Sequence, residues 1–169
     1  MAKWKSIFMI HKHHATRLHY DLRLEIDGTL KSWALQAIPT APSKPELAIQ
    51  VPDHPFWYRH FEGVIPEGQY GAGPVMVWEK GLYVGFMKDH KGKEITLTES
   101  LRQGYMLIWL EGEKLKGGYI LIRLSKKQRW FLIKMDDKYA RHGGRKPAYW
   151  ERSVKSGKTL KQILLKKKK

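Results

Sequence analysis

Apolar and polar positions alternate with a period of two along most of the chain, and windows with a helical period are few. HYDLRLEI at 19–26 alternates without a break, Asp27-Gly28 supplies hairpin-turn chemistry, and TLKSWALQAI at 29–38 follows as the partner strand. LAIQV at 47–51, PVMVWEKG at 74–81, YMLIWLEG at 105–112, GYILIRL at 118–124 and WFLIKM at 130–135 read as further strands. Short strands punctuated by Gly, Pro and Asp predict a mainly β fold, a barrel or a sandwich. One short helix is expected at TESLRQG, 98–104, with Thr98 as cap and Gly104 as stop, and a second after Thr159, with Leu160, Ile163 and Leu164 on one side. Seven of the eight prolines fall between Pro39 and Pro74, which predicts long loops laid over the sheet there rather than continuous ladder.

With 169 residues, 42% of them apolar, the chain can bury one core. The absence of cysteine removes disulfide scaffolds, thiolate zinc sites, iron–sulfur clusters and thiol nucleophiles, so any metal must be held by His, Asp or Glu. The N-terminus has a four-residue apolar stretch and no small-residue cleavage site, and no apolar run approaches the ~18 residues of a membrane span, so a cytoplasmic protein with no membrane association is expected.

The net charge of +16 points to a polyanionic partner, and its placement sharpens the point. Residues 1–113 carry thirteen basic and thirteen acidic side chains, whereas residues 114–169 carry nineteen and three. The pattern of strands dissolves after about Asp137. The expected organisation is therefore a barrel domain over 1–140 and a basic, linker-like tail over 141–169 with a short helix in it. Deleting 152–169 is expected to weaken nucleic-acid binding and flatten its salt dependence while sparing chemistry on a bound end.

The alternation at 19–26 puts His19, Asp21, Arg23 and Glu25 on one strand face and Tyr20, Leu22, Leu24 and Ile26 on the other. His19-x-Asp21 is a metal-ligand spacing on a strand, and a turn can fold His13 back as a third ligand. Two imidazoles and a carboxylate suit manganese, iron or zinc, and the planar fork of Arg23 suits a phosphate held beside them. From spacing alone this metal centre stands level with a plain solvent-facing polar strand. His11, His14 and His60 read as surface or supporting residues and His90 as a loop residue. In VPDHPFWYRHFEG, His54 and Tyr58 could reach over a site as proton and hydroxyl donors, although packing of the aromatics on the barrel explains Tyr58 as well. IPEGQYGAGPVMVW is glycine-rich, but a strand rather than a helix follows it, so it reads as turn geometry and not as a phosphate loop.

IHKHHATRLHYDLRLEIDGTLKSWAL, DHPFWY, FEGVIPEGQYGAGPVMVW and KLKGGYILIRL with WFLIKMDDKYA together resemble the 3'-phosphoesterase domain of bacterial DNA ligase D, in order from about residue 8 to 140. The resemblance implies a single-domain antiparallel β-barrel with long loops and one or two short helices. It also implies a manganese-dependent enzyme, with Zn2+ or Co2+ as alternative metals, that heals 3' ends in end-joining repair. Such an enzyme removes a 3'-terminal ribonucleoside from a primer strand of a primer-template and then the 3'-phosphate left behind, with a separate DNA ligase and polymerase as partners. It carries metal ligation onto His13, His19 and Asp21, phosphate contact onto Arg23, and catalytic roles onto His54 and Tyr58. Ala37, Glu46 and Pro52 depart from the lysine, basic residue and glutamate common at those phosphate-pocket positions, which sets the diesterase step ahead of the monoesterase step. Two other readings of the same residues are a non-haem iron oxygenase using His-x-Asp with His60 or His90, and a non-catalytic basic β-barrel that only binds nucleic acid.

Overall fold

The computed structural model describes residues 5–166. Nine strands form: β1 (Ser6–His14), β2 (Leu18–Ile26), β3 (Thr29–Leu35), β4 (Glu46–Pro55), β5 (Gly63–Ile65), β6 (Gly73–Gly85), β7 (Tyr105–Gly112), β8 (Lys116–Arg123) and β9 (Arg129–Lys134). Neighbours run β1-β2-β3-β4-β9-β8-β7-β6, every pairing is antiparallel, and β6 returns to pair with β1. The result is a closed eight-stranded barrel, with β5 added beside the first residues of β6. Closure leaves no long unpaired strand edge among those eight.

Every strand expected from alternation is present. Asp27 (φ 53°) and Gly28 (φ 75°) form the left-handed pair that a two-residue hairpin between β2 and β3 needs. β1 and β5 were not anticipated, because IFMIHKHH is a continuous run with no clean period and β5 has three residues only. The proline-rich stretch also differs from expectation, since β4 runs on through Pro52 to Pro55. Proline is accommodated because the β3–β4 register slips there: Ser32 faces Val51 and Leu30 faces His54, so Pro52 and Asp53 together oppose Lys31. Such a bulge leaves a backbone N–H unused, which is the position proline tolerates.

Inward-facing residues of the strands fill the barrel. Phe8, Ile10, Leu22, Leu24, Trp33, Trp78, Tyr83, Tyr119 and Trp130 are almost wholly buried in one cluster, with Trp33 and Trp130 edge to face at 5.5 Å between centroids. A buried carboxylate is built into this framework. Glu79 on β6 is fully buried, and its carboxylate accepts backbone N–H bonds from Lys80, Glu113, Lys114 and Leu115 at 2.6–3.1 Å, fixing the β7–β8 turn. A side chain at Gly112 would collide with this carboxylate.

Helix α1 (Leu97–Gln103) ends at Gly104 (φ 80°) as expected, but its cap is Thr96, whose hydroxyl accepts from Glu99 N–H. Thr98 lies inside the helix and donates to Asp27. The C-terminal segment does not run as a linker. A 3₁₀ turn at Ala148–Glu151 and helix α2 (Leu160–Lys166) return to the barrel, and Trp150 and Ile163 belong to the core cluster. Val154 N–H donates to Val77 on β6, Lys12 pairs with Glu151 at 2.6 Å, and Trp78 donates its indole N–H to Trp150. Thr159 and Gln162 cap α2 reciprocally, each side chain accepting from the other's backbone N–H. Its basic side chains conceal two apolar anchors in the composition. No helix among the described residues is long and apolar enough to cross a membrane.

Candidate active site on the outer wall

Odd-numbered residues of β1 and β2 point away from the core onto the outer wall. The antiparallel register sets His13 opposite His19 and His11 opposite Asp21, so four polar side chains share one patch. His13, His19 and Asp21 each offer one ligand atom, all within 4.8 Å of one another, and among the described residues this is the cluster able to hold a metal ion. The residue that joins His19 and Asp21 in this cluster is His13, not His60 or His90. Backbone carbonyls orient the imidazoles: His13 Nε2 lies 2.6 Å from Gly71 O, and His19 Nδ1 lies 3.1 Å from Arg17 O. Donation to Gly71 O leaves His13 Nδ1 with its lone pair, the usual arrangement around a ligating histidine. His19 Nε2, 3.3 Å from Asp21 Oδ2, carries a lone pair when the ring is neutral and donates to Asp21 when it is protonated. Gly71 (φ 76°) has to be glycine, because a Cβ there would come within 3.3 Å of the His13 ring on a backbone that side chains rarely adopt.

This face is not solvated: Arg23 is 3% exposed and Asp21 7%. The 3₁₀ turn Phe56–His60 and the residues after it cover it. Arg23 is held on all sides of its fork, with Nε donating to His11 Nδ1 at 2.9 Å, Nη1 to Ser32 Oγ at 2.8 Å, and Nη2 directed at Asp21 Oδ2 at 3.5 Å. Its guanidinium also lies over the Tyr58 ring, 5.3 Å from the centroid.

Of the two places the sequence left open for His11, surface or support of the site, the structure shows the second. The ring is fully buried at the centre of the network rather than at the surface, accepting from Arg23 through Nδ1 and donating through Nε2 to Phe61 O at 2.9 Å. Burial first and Arg23 second push its pKa down to about 3, so it is a neutral imidazole of defined tautomer. Ser32 went unnoticed. Both were signalled by register, since His11 and His13 are two residues apart on β1 and Ser32 is the cross-strand neighbour of Arg23.

His54 reaches the site because of the β4 bulge. A regular ladder from the Ser32–Val51 pair would set Asp53 on this face; the extra residue delivers His54 instead. Its Nδ1 lies 3.2 Å from Arg23 Nη1 and 3.1 Å from Pro52 O. Deprotonated, that nitrogen accepts from the guanidinium; protonated, it donates to the carbonyl, so the ring keeps a partner in either state. Burial and then Arg23 lower its pKa below the ordinary imidazole value. Tyr58 packs against His54 at 4.9 Å, stacks on Phe61 at 5.2 Å, and has its pKa raised by burial.

The charges around the donors oppose one another. Burial disfavours ionised Asp21, but the hydrogen bond from His19, followed by the field of Arg23, brings its pKa below the usual carboxylate range. The same hydrogen bond raises the pKa of His19, whereas burial lowers that of His13. All six expected site residues lie in one patch: His13, His19 and Asp21 as the donor set, with Arg23, His54 and Tyr58 packed beside it. His14 and His60 are exposed on the surface, as is His90. Glu46 begins β4, Ala37 is exposed beyond β3, and Pro52 sits in the bulge.

Fold and site define a β-barrel whose outer wall carries a histidine–carboxylate donor set beside a buried guanidinium, an arrangement suited to a metal and an oxyanion together. The family described as the DNA Ligase D 3'-phosphoesterase domain matches residues 11–123. The multifunctional non-homologous end joining protein LigD of Pseudomonas aeruginosa is 45% identical over 159 residues, covering 90% of this chain and 18% of that protein. Its namesake in Mycolicibacterium smegmatis is 39% identical over 136 residues, covering 77% of this chain and 17% of that protein. The multifunctional non-homologous end joining DNA repair protein LigD of Mycobacterium tuberculosis is 42% identical over 126 residues, covering 74% and 15%. The chain belongs to the DNA ligase D 3'-phosphoesterase domain family, and it spans less than a fifth of the length of these relatives.

Proposed function

We propose that this chain is a divalent-metal-dependent phosphoesterase that heals 3' ends of nucleic acid for end joining. It would remove a 3'-terminal ribonucleoside from a primer strand and, more weakly, the 3'-phosphate then exposed. The observation that carries this reading is the donor set of His13, His19 and Asp21 sharing one wall with the buried fork of Arg23. A purely binding barrel would have no use for a guanidinium desolvated beside three ligand atoms.

The donors fit a borderline divalent cation, manganese in this reading and Zn2+ or Co2+ as alternatives. Such a cation supplies Lewis-acid polarisation of a phosphoryl oxygen and makes bound water more acidic. The protein's own groups do the rest. Of its five N–H donors, Arg23 commits its Nε–H to His11, its Nη1 pair to Ser32 and His54, and one Nη2–H to Asp21. One Nη2–H is left to hold a phosphoryl oxygen as charge builds on it. Water attacks phosphorus and gives up a proton, and the bond to the 5' oxygen of the terminal nucleoside breaks. That oxygen takes up a proton from His54 in its protonated state, with Nδ1–H turned to Pro52 O, so that the proton released by the water restores the one His54 gives. The products are a 3'-phosphate on the primer and a free nucleoside. The Tyr58 hydroxyl positions the diester. Ala37, Glu46 and Pro52 leave the terminal monoester with fewer contacts, so the second step is the slower one.

A primer-template ending in one ribonucleotide, incubated with manganese or with chelator, tests this directly. The expected product is one nucleoside shorter with a 3'-phosphate, in the manganese sample alone. Full-length primer in both samples, with tight binding retained, would establish the binding-only barrel.

A further inference from the structure

A second cluster of charge lies outside the donor site, on the far side of the Phe56–His60 turn. Here α2 and the segment before it pack against β5 and leave a cleft of about 410 Å³ lined by Lys155, Ser156, Lys158, Lys166, Val64 and Glu62. Lys155 donates to His60 O at 2.6 Å, which fixes the wall of the cleft to the turn. The next carbonyl along, that of Phe61, is the one that accepts from His11. The cleft and the Arg23 network are therefore separated by adjacent peptide units of one strand of chain.

Positive charge outweighs negative in this cleft. Lys166 stands close enough to Lys158 to lower the pKa of Lys158, and His60 is held below its ordinary pKa by Arg59 first, with burial, Lys155 and Lys80 adding to it. Three lysines, Lys155, Lys158 and Lys166, thus line a cleft whose lining contains one carboxylate. That group, Glu62, turns Oε1 inward to accept from Val77 N–H and the Ser153 hydroxyl. Three cations gathered around a single, inward-turned carboxylate fit a ligand bearing several negative charges at intervals.

We propose that this cleft binds the sugar-phosphate backbone of the nucleic acid whose 3' end occupies the donor site, with Lys155, Lys158 and Lys166 as the phosphate contacts. The proposal rests on nucleic acid being the substrate. It replaces the diffuse grip expected of a basic tail with a defined surface held in place by Ile163 and by Lys155.

The test uses the whole chain with Lys155→Gln, Lys158→Gln and Lys166→Gln combined, its fold checked by the thermal transition. Affinity for a fluorescent primer-template is measured in chelator from about 50 to 200 mM salt. Each lost phosphate contact lowers the slope of log K against log salt by about 0.9, so the triple variant is expected to lose about 2 to 3 units. Lys126→Gln with Lys127→Gln, on the β8–β9 turn across the barrel, is the control and is expected to keep the wild-type slope. An unchanged slope in the triple variant, or an equal fall in the control, overturns the proposal. Loss of polyglutamate binding with the primer-template slope intact also overturns it, in favour of an acidic protein partner. Wild-type turnover of bis(p-nitrophenyl) phosphate with manganese reads the phosphoesterase function separately: no turnover with the slope change present sinks that function and leaves the cleft standing.

Discussion

Arg23 does with one side chain what four neighbours need. His11, Ser32, His54 and Asp21 all take part of its fork. Lysine would keep the charge but present a single point of it, leaving several buried acceptors without a donor. Arg23→Lys is expected to slow single-turnover cleavage by about 100-fold or more and to cost about 2–3 kcal/mol of stability in urea unfolding. His11 makes a complementary prediction. Its folded pKa is about 3 against an ordinary 6.5, so between those values the unfolded chain binds the extra proton. Stability contributed by the neutral ring is therefore full above 6.5 and lost as pH falls toward 3. In chelator, wild type should lose more of its urea midpoint between pH 7 and 5 than His11→Gln does, and equal losses would count against a buried neutral ring. At this scale the sequence was informative where alternation was unbroken: His19, Asp21 and Arg23 could be assigned a shared face by counting. His11 could not, since IHKHH has no clean period to mark β1 as a strand along which its parity with His13 could be counted.

Elements that obey their own period were legible and those that break it were not. β2 and β3 follow from alternation and an Asp-Gly turn. His54 does not, because parity counted along β4 selects Asp53 for the site and only the bulge at Pro52–Asp53 reverses that choice. Resemblance pointed to His54 through DHPFWY without supplying the geometric reason. The barrel's most specific turn was also hidden: Glu79 reads as an ordinary polar position in VMVWEKG, yet it gathers four backbone N–H groups. Removing that carboxylate would orphan most of them. Glu79→Ala is expected to cost about 3–5 kcal/mol, and Glu79→Gln clearly less because an amide oxygen still accepts. Comparable losses in the two variants would mean that packing, not hydrogen bonding, governs the turn.

For the whole molecule, the consequence of a returning C-terminal segment is that truncation and charge removal are different experiments. Deleting 152–169 takes Ile163 out of the core along with eight cations, so its effect on binding could not be ascribed to charge. Metal binding can be read at the same scale without any substrate. A cation that binds the folded chain alone stabilises it by about 2.7 kcal/mol at a hundred times its dissociation constant. Manganese should raise the melting temperature of wild type and leave that of Asp21→Asn unmoved; an equal rise in both would place the ion elsewhere.

The wall on which the site stands has one more implication, for how this protein tolerates change. Along β2, residues 20, 22, 24 and 26 look into the barrel while 19, 21 and 23 look out at the donor patch. Selection on folding and selection on chemistry therefore act on interleaved letters of the same nine-residue word. A saturation scan of 18–26 read for both abundance and cleavage should separate by parity. Substitutions at even positions would deplete the protein itself, whereas those at the donors His19 and Asp21 would leave abundant, inert barrels, and Arg23 would be the odd position that carries both costs.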